Sequence, residues 1–89
     1  MISRQAMIVN KLGLHARAAT RLVNCASAFA SEIWIGKGEK IINGKSIMGV
    51  LTLAASKGTE LMIQVDGNDE SAAMESILDL IADCFGEGE

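Results

Sequence analysis

The chain has 89 residues, is 49% hydrophobic and carries a formal net charge of −3, which suits one domain over residues 1–89 whose core needs no metal or disulfide. Only 8 Lys and Arg, three aromatics (Phe29, Trp34, Phe85) and no recognisable motif argue against nucleic-acid binding. MISRQAMIVNK lacks the apolar core of a signal peptide, and no apolar run nears the roughly 20 residues of a membrane span, so a soluble, cytoplasmic protein is expected.

In chain order, residues 5–9 (QAMIV) are short, apolar and β-branched at their end, and predict a strand. Asn10 to Leu14 form a loop around Gly13. From Ala16 to about Ser27, Ala19, Leu22, Val23 and Ala26 recur at helical spacing, with Phe29 packing at the exit. Residues 32–37 (EIWIGK) and 40–42 predict a hairpin closed by the turn at Gly36 to Glu39. Asn43-Gly44 signals a turn, and Ser46 is suited to cap a short helix from Ile47 to about Leu53, weakened by Gly49. Residues 60–65 (ELMIQV) predict a strand. Asp69 is placed to cap a last helix whose apolar stripe is Ala73, Met74, Ile77, Leu78, Ile81 and Phe85. Glu75, Asp79 and Asp83 line its other side as a solvated face. Four strands with three helices on one face imply an α/β two-layer sandwich with an antiparallel sheet.

Charge is unevenly distributed. Residues 1–31 hold Arg4, Lys11, Arg17 and Arg21 and no acid; residues 60–89 hold nine acids and no base. Such a dipolar molecule presents a basic face to an anionic partner. Cys25 and Cys84 form no CxxC and have no histidine nearby, so they predict packing thiols in a reducing compartment and not a zinc site.

The single histidine, His15, falls where the first helix begins, in NKLGLHARAATRLV. A helix start offers N–H groups without intrahelical partners and a partial positive charge, so it suits an anionic group such as a phosphoryl. Imidazole is largely neutral at physiological pH and is a good nucleophile. In that chemistry His15 would be the nucleophile, the N–H groups of Ala16 and Arg17 the cradle, and the Arg17 guanidinium the clamp. An ordinary surface histidine fits the local pattern as well, and the residues alone leave both readings open. A metal role has no second ligand at a useful spacing, and a hydrolase triad has no nucleophile elbow.

Gly13-Leu14-His15-Ala16-Arg17, followed by Ala19 and Leu22-Val23, resembles the active-site signature of the HPr family, the histidine-containing phosphocarriers of the bacterial phosphotransferase system. Asn43 to Leu51 (NGKSIMGVL) resembles that family's regulatory serine segment, and Gly67 with Asp69-Glu70 its last helix start. The resemblance covers nearly the whole chain. It implies an open-faced β-sandwich in a monomer. It further implies that His15 takes a phosphoryl group on Nδ1 from phosphorylated Enzyme I and passes it to an Enzyme IIA, with no cofactor. It makes Ser46, otherwise a plain helix cap, a site for an HPr kinase/phosphorylase. It also implies that Ile47, Met48 and Leu51, beside Arg17 and Arg21, dock the partners. Such a protein is a stoichiometric carrier and not an enzyme. An alternative within the resemblance is a regulatory, nitrogen-type or kinase-controlled binding module. The chain departs from the family at Ala18, where proline is common, and at Asn24 and Gly49, which bears more on partner preference than on chemistry.

Overall fold

The computed structural model describes residues 1–88. Four strands, β1 (Ile2–Met7), β2 (Glu32–Lys37), β3 (Lys40–Asn43) and β4 (Glu60–Asp66), form one antiparallel sheet in the order β1-β4-β2-β3. The helices are α1 (Ala16–Ser27), α2 (Ile47–Thr52) and α3 (Glu70–Ala82). The period-two alternation of the central strands turns Ile33, Ile35, Leu61, Ile63 and Val65 inward. Against them lie Ala18, Ala19, Leu22 and Ala26 of α1 and Ala73, Met74, Ile77 and Ile81 of α3. The other face of the sheet stays open, with Trp34, Ile41 and Met62 exposed on it. This is the two-layer antiparallel sandwich expected from the element order, in the open-faced form that the resemblance implies.

The expected and observed boundaries of α1 coincide, and those of the hairpin, α2 and β4 differ by a residue or so. β1 is displaced. It runs over Ile2–Met7 and not 5–9, because it is an edge strand whose exposed Ser3, Arg4 and Gln5 give no alternating signal. Ile8 lies past its end, yet its N–H donates to the Thr59 carbonyl at 2.9 Å and its own carbonyl accepts from Gly58 at 2.7 Å. Ile8 is fully buried although it lies outside the strand.

Asp69 does not cap α3. Its side chain makes no bond to the helix start. Its carboxylate accepts instead from the N–H groups of Ala30 (2.8 Å) and Ser31 (3.0 Å) and from the Ser31 hydroxyl, tying the α1–β2 link to the foot of α3. The Ser31 hydroxyl first, and then the Ala30 N–H, hold this carboxyl below its ordinary value. Glu70 is held low as well, by the Gly67 N–H and then by the N-terminal ammonium. A carboxyl lowered by folding adds stability that is present above its unfolded value, about 4, and disappears as pH falls through its folded value. The thermal midpoint is therefore expected to drop as pH falls below about 4. Asp69→Asn should lower the midpoint at pH 7 and flatten that acid limb, which thermal melts across pH would show.

Phe85 is also placed differently from the expected stripe. α3 ends at Ala82, and Cys84–Gly86 form a separate 3₁₀ turn in which Cys84 and Phe85 each have a left-handed φ of 55°. Phe85 still reaches the core and is fully buried. Glu75, Asp79 and Asp83 are exposed, as expected of a solvated face. Cys25 and Cys84 are half-buried free thiols, and burial pushes the Cys25 thiol up.

Candidate functional site

The loop before α1 is set by one close approach. Gly13 has a φ of 67°, and a Cβ there would lie 2.5 Å from the Ala55 carbonyl oxygen and 2.8 Å from Ser56 Cα. Only glycine fits both the conformation and the space. The Leu14 N–H then donates to the Ala55 carbonyl at 2.8 Å and its side chain is buried. These contacts fix where the next residue starts the helix.

That residue is His15, the N-cap of α1, with an extended backbone. Its carbonyl accepts from the Ala19 N–H at 2.8 Å, and its Nδ1 accepts from the Arg17 N–H at 3.3 Å. Its Nε2 lies against the Glu87 carboxylate, which is suited only to accept. The two neighbours assign the neutral tautomer: the proton sits on Nε2 and the lone pair on Nδ1. The imidazole is 30% exposed, so it is both packed and reachable.

Ala16 and Arg17 are the first two helical residues, where N–H groups lack intrahelical acceptors. An open cleft of about 430 Å³ adjoins them, lined by Lys11, Leu12, Arg17, Arg21, Gly86 and Glu87. Three cations thus line the cleft at this helix start, where the Nδ1 lone pair is met by the Arg17 N–H. A nucleophile that receives an anionic group needs this arrangement. Arg21 is less free than the sequence suggests, because its Nη1 donates to the Phe85 carbonyl.

The second motif lies on the adjoining helix. Ser46 caps α2, its Oγ accepting from the Gly49 N–H at 3.1 Å. Met48 is 68% exposed and Ile47 36% exposed, whereas Leu51 is half-buried against the core. α2 packs on α1, so the exposed pair stands beside the helix that carries Arg17. Lys37 and Lys40 donate to the Leu53 and Thr52 carbonyls at 3.0 and 2.9 Å, satisfying the far end of α2.

Two residues at the site were not singled out from the sequence. Asn10 is fully buried; its Nδ2 donates to the Gly13 carbonyl and to Glu87 Oε1, each at 2.8 Å. Glu87 accepts from both Asn10 and His15. Burial by itself would raise the Glu87 carboxyl. The Asn10 and His15 hydrogen bonds and the nearby Arg17 charge outweigh it, leaving the group below its ordinary value. Among the described residues no cluster of His, Cys, Asp and Glu could hold a metal ion, and no helix is long and apolar enough to cross a membrane.

The family described as "PTS HPr component phosphorylation site" matches residues 2–83. The "Phosphocarrier protein HPr" of Neisseria meningitidis serogroup A is 51% identical over 89 residues, all of both chains. That of Cupriavidus necator is 46% identical, again over all of both chains. A crystal structure of HPr-C-His from Thermoanaerobacter tengcongensis superposes with a TM-score of 0.94 at 44% identity, covering 98% of each chain. Motifs, element order and full-length similarity agree, and the chain belongs to the HPr family of phosphocarriers of the phosphotransferase system.

Proposed function

We propose that His15 is the phosphoryl-carrying residue and that the chain is a stoichiometric carrier which does not turn over alone. One observation supports this: Nδ1 of His15 carries its lone pair, not a proton, at the N-terminus of α1, where it accepts from the Arg17 N–H at 3.3 Å beside a cleft lined by Lys11, Arg17 and Arg21. The Nδ1 lone pair attacks the phosphorus of phosphorylated Enzyme I. The bond from phosphorus to Enzyme I breaks, and its electron pair stays with Enzyme I. The Ala16 and Arg17 N–H groups and the Arg17 guanidinium receive the roughly two negative charges that arrive. The second transfer, to an Enzyme IIA, runs the same way with His15 as donor. No cofactor enters either step.

Ile47, Met48 and the edge of Leu51, with the basic rim of α1, form the docking surface of this reading, and methionine suits a surface that meets two partners. Residues 1–89 act as a single cytoplasmic domain, and as a monomer because the described core closes within one chain. Incubation with phosphoenolpyruvate and a matching Enzyme I is expected to introduce one acid-labile phosphate per chain. No incorporation would overturn the proposal.

Ser46 is the regulatory site of the same reading, modified by an HPr kinase/phosphorylase. Phosphate on its Oγ would sit at the start of α2, next to Ile47 and Met48, and place negative charge inside the docking surface. Ser46→Asp is expected to slow phosphoryl uptake from Enzyme I about tenfold, through a higher KM, because like charge across an interface is unfavourable. Initial rates at varied Enzyme I would show it.

A further inference from the structure

The Nε2 side of His15 is built as deliberately as the Nδ1 side. Asn10 is fully buried, and its orientation is fixed by its neighbours: the Gly13 carbonyl and the Glu87 carboxylate both require a donor, so both Nδ2 hydrogens face them. Glu87 then has one oxygen on Asn10 and the other on His15. The segment bearing Glu87 is itself anchored. Phe85 is buried, the Arg21 guanidinium holds the Phe85 carbonyl, and the Glu87 N–H donates to the Cys84 carbonyl at 3.0 Å. Glu87 lies beyond residues 2–83, the stretch matched to the family.

We propose that Asn10 and Glu87 are positioning residues for transfer at His15: Asn10 fixes the Glu87 carboxylate, which keeps a proton on Nε2 and faces the charge the ring acquires. The inference rests on His15 being the phosphoryl carrier. As the Nδ1–P bond forms and the donor–P bond breaks, the proton stays on Nε2 and the ring becomes a cation. The carboxylate opposite stabilises that cation, and with it the product of uptake. On delivery the N–P electron pair returns to Nδ1, and the ring departs as neutral imidazole with the Nε2 proton still in place. A ring that lost this proton would be a poorer leaving group. Glu87 thus serves both directions of the relay without touching phosphorus.

The charged groups lining the cleft beside His15 are Arg17 and Arg21 from α1, Lys11 from the preceding loop and Glu87 from the final segment; α2 contributes none over Ile47–Thr52. Glu87 is the one acid among them. Removing its charge is therefore expected to shift the phosphorylated ring's proton loss to lower pH, by about one unit or more, as for an opposite charge in contact.

The test is the pH profile of phosphoryl release from the enzymatically phosphorylated protein. Glu87→Gln keeps the shape of the side chain and loses its charge; its midpoint is expected about one pH unit below wild type, with uptake from Enzyme I about tenfold slower. Asn10→Ala should shift the midpoint the same way by a smaller amount. If that buried replacement does not fold, Glu87→Gln alone decides. Glu75→Gln, on the exposed side of α3, makes the same charge change far from the ring and should match wild type. A Glu87→Gln midpoint equal to that of Glu75→Gln would overturn the role of Glu87 and leave His15 as carrier. A wild-type protein that takes up no phosphate would overturn both. In ¹⁵N spectra of the unphosphorylated protein, a hydrogen-bonded Nε2 proton is expected in wild type and should be lost in Glu87→Ala; its survival counts against the relay.

Discussion

His15→Ala is expected to abolish phosphoryl incorporation completely while leaving the fold in place. No other described residue is a histidine, so no second imidazole can take the group. The structural cost is modest, because the side chain is 30% exposed and makes two bonds, accepting from the Arg17 N–H and donating to the Glu87 carboxylate. Losing a helix cap of this kind costs about 1 kcal/mol. Leu14, which seats the loop, and the Ala19 bond to the residue 15 carbonyl do not depend on the imidazole. Circular dichroism should therefore show a wild-type spectrum and a midpoint a few degrees lower, with no label on the protein. Label at wild-type stoichiometry in His15→Ala would end the assignment of His15. Because Arg17 and the α1 N–H groups survive the change, the variant also separates holding an anion from carrying it covalently.

The contrast between the two nitrogens of His15 shows what was legible in the sequence. The Nδ1 side is local. Gly13, His15, Ala16 and Arg17 are consecutive in a loop–helix junction, and the apolar spacing of Ala19, Leu22 and Ala26 fixes where that helix starts and which face it buries. Such features follow from short-range geometry, which is why α1 was placed to the residue. The Nε2 side is long-range. Glu87 is 72 residues from His15 and 77 from Asn10, one acid among nine in the last third of the chain. No periodicity marks it, since it follows a turn of left-handed residues and belongs to no helix or strand. Asp69 taught the same lesson in reverse. Its position favours a cap, but Ala30 and Ser31 offered three donors at once, and tertiary contacts outcompeted the local bond. β1 was misplaced because an edge strand with polar outward positions has no pattern to read.

Phe85→Ala is expected to produce the largest loss of stability of any change considered, about 3–5 kcal/mol, since it empties a fully buried aromatic position. At about 4–8 °C per kcal/mol for a domain of this size, the thermal midpoint should fall by roughly 12–40 °C. The effect should not stop at stability. Cys84 and Phe85 sit in the left-handed region, at φ 55°, a conformation unfavourable by about 1–2 kcal/mol for each side-chain-bearing residue. The buried ring offsets that strain, and without it the turn gains by relaxing. Relaxation moves the carbonyl that Arg21 holds and withdraws Glu87 from His15. At a temperature where the variant remains folded, its phosphoryl-release profile should therefore shift toward low pH like that of Glu87→Gln. Adding Glu87→Gln to Phe85→Ala should shift it no further, as expected for residues acting through one contact. Phe85→Leu, which keeps most of the buried volume, should retain the wild-type profile. A folded Phe85→Ala protein with an unshifted profile would show that Asn10 holds Glu87 on His15 without the aromatic anchor.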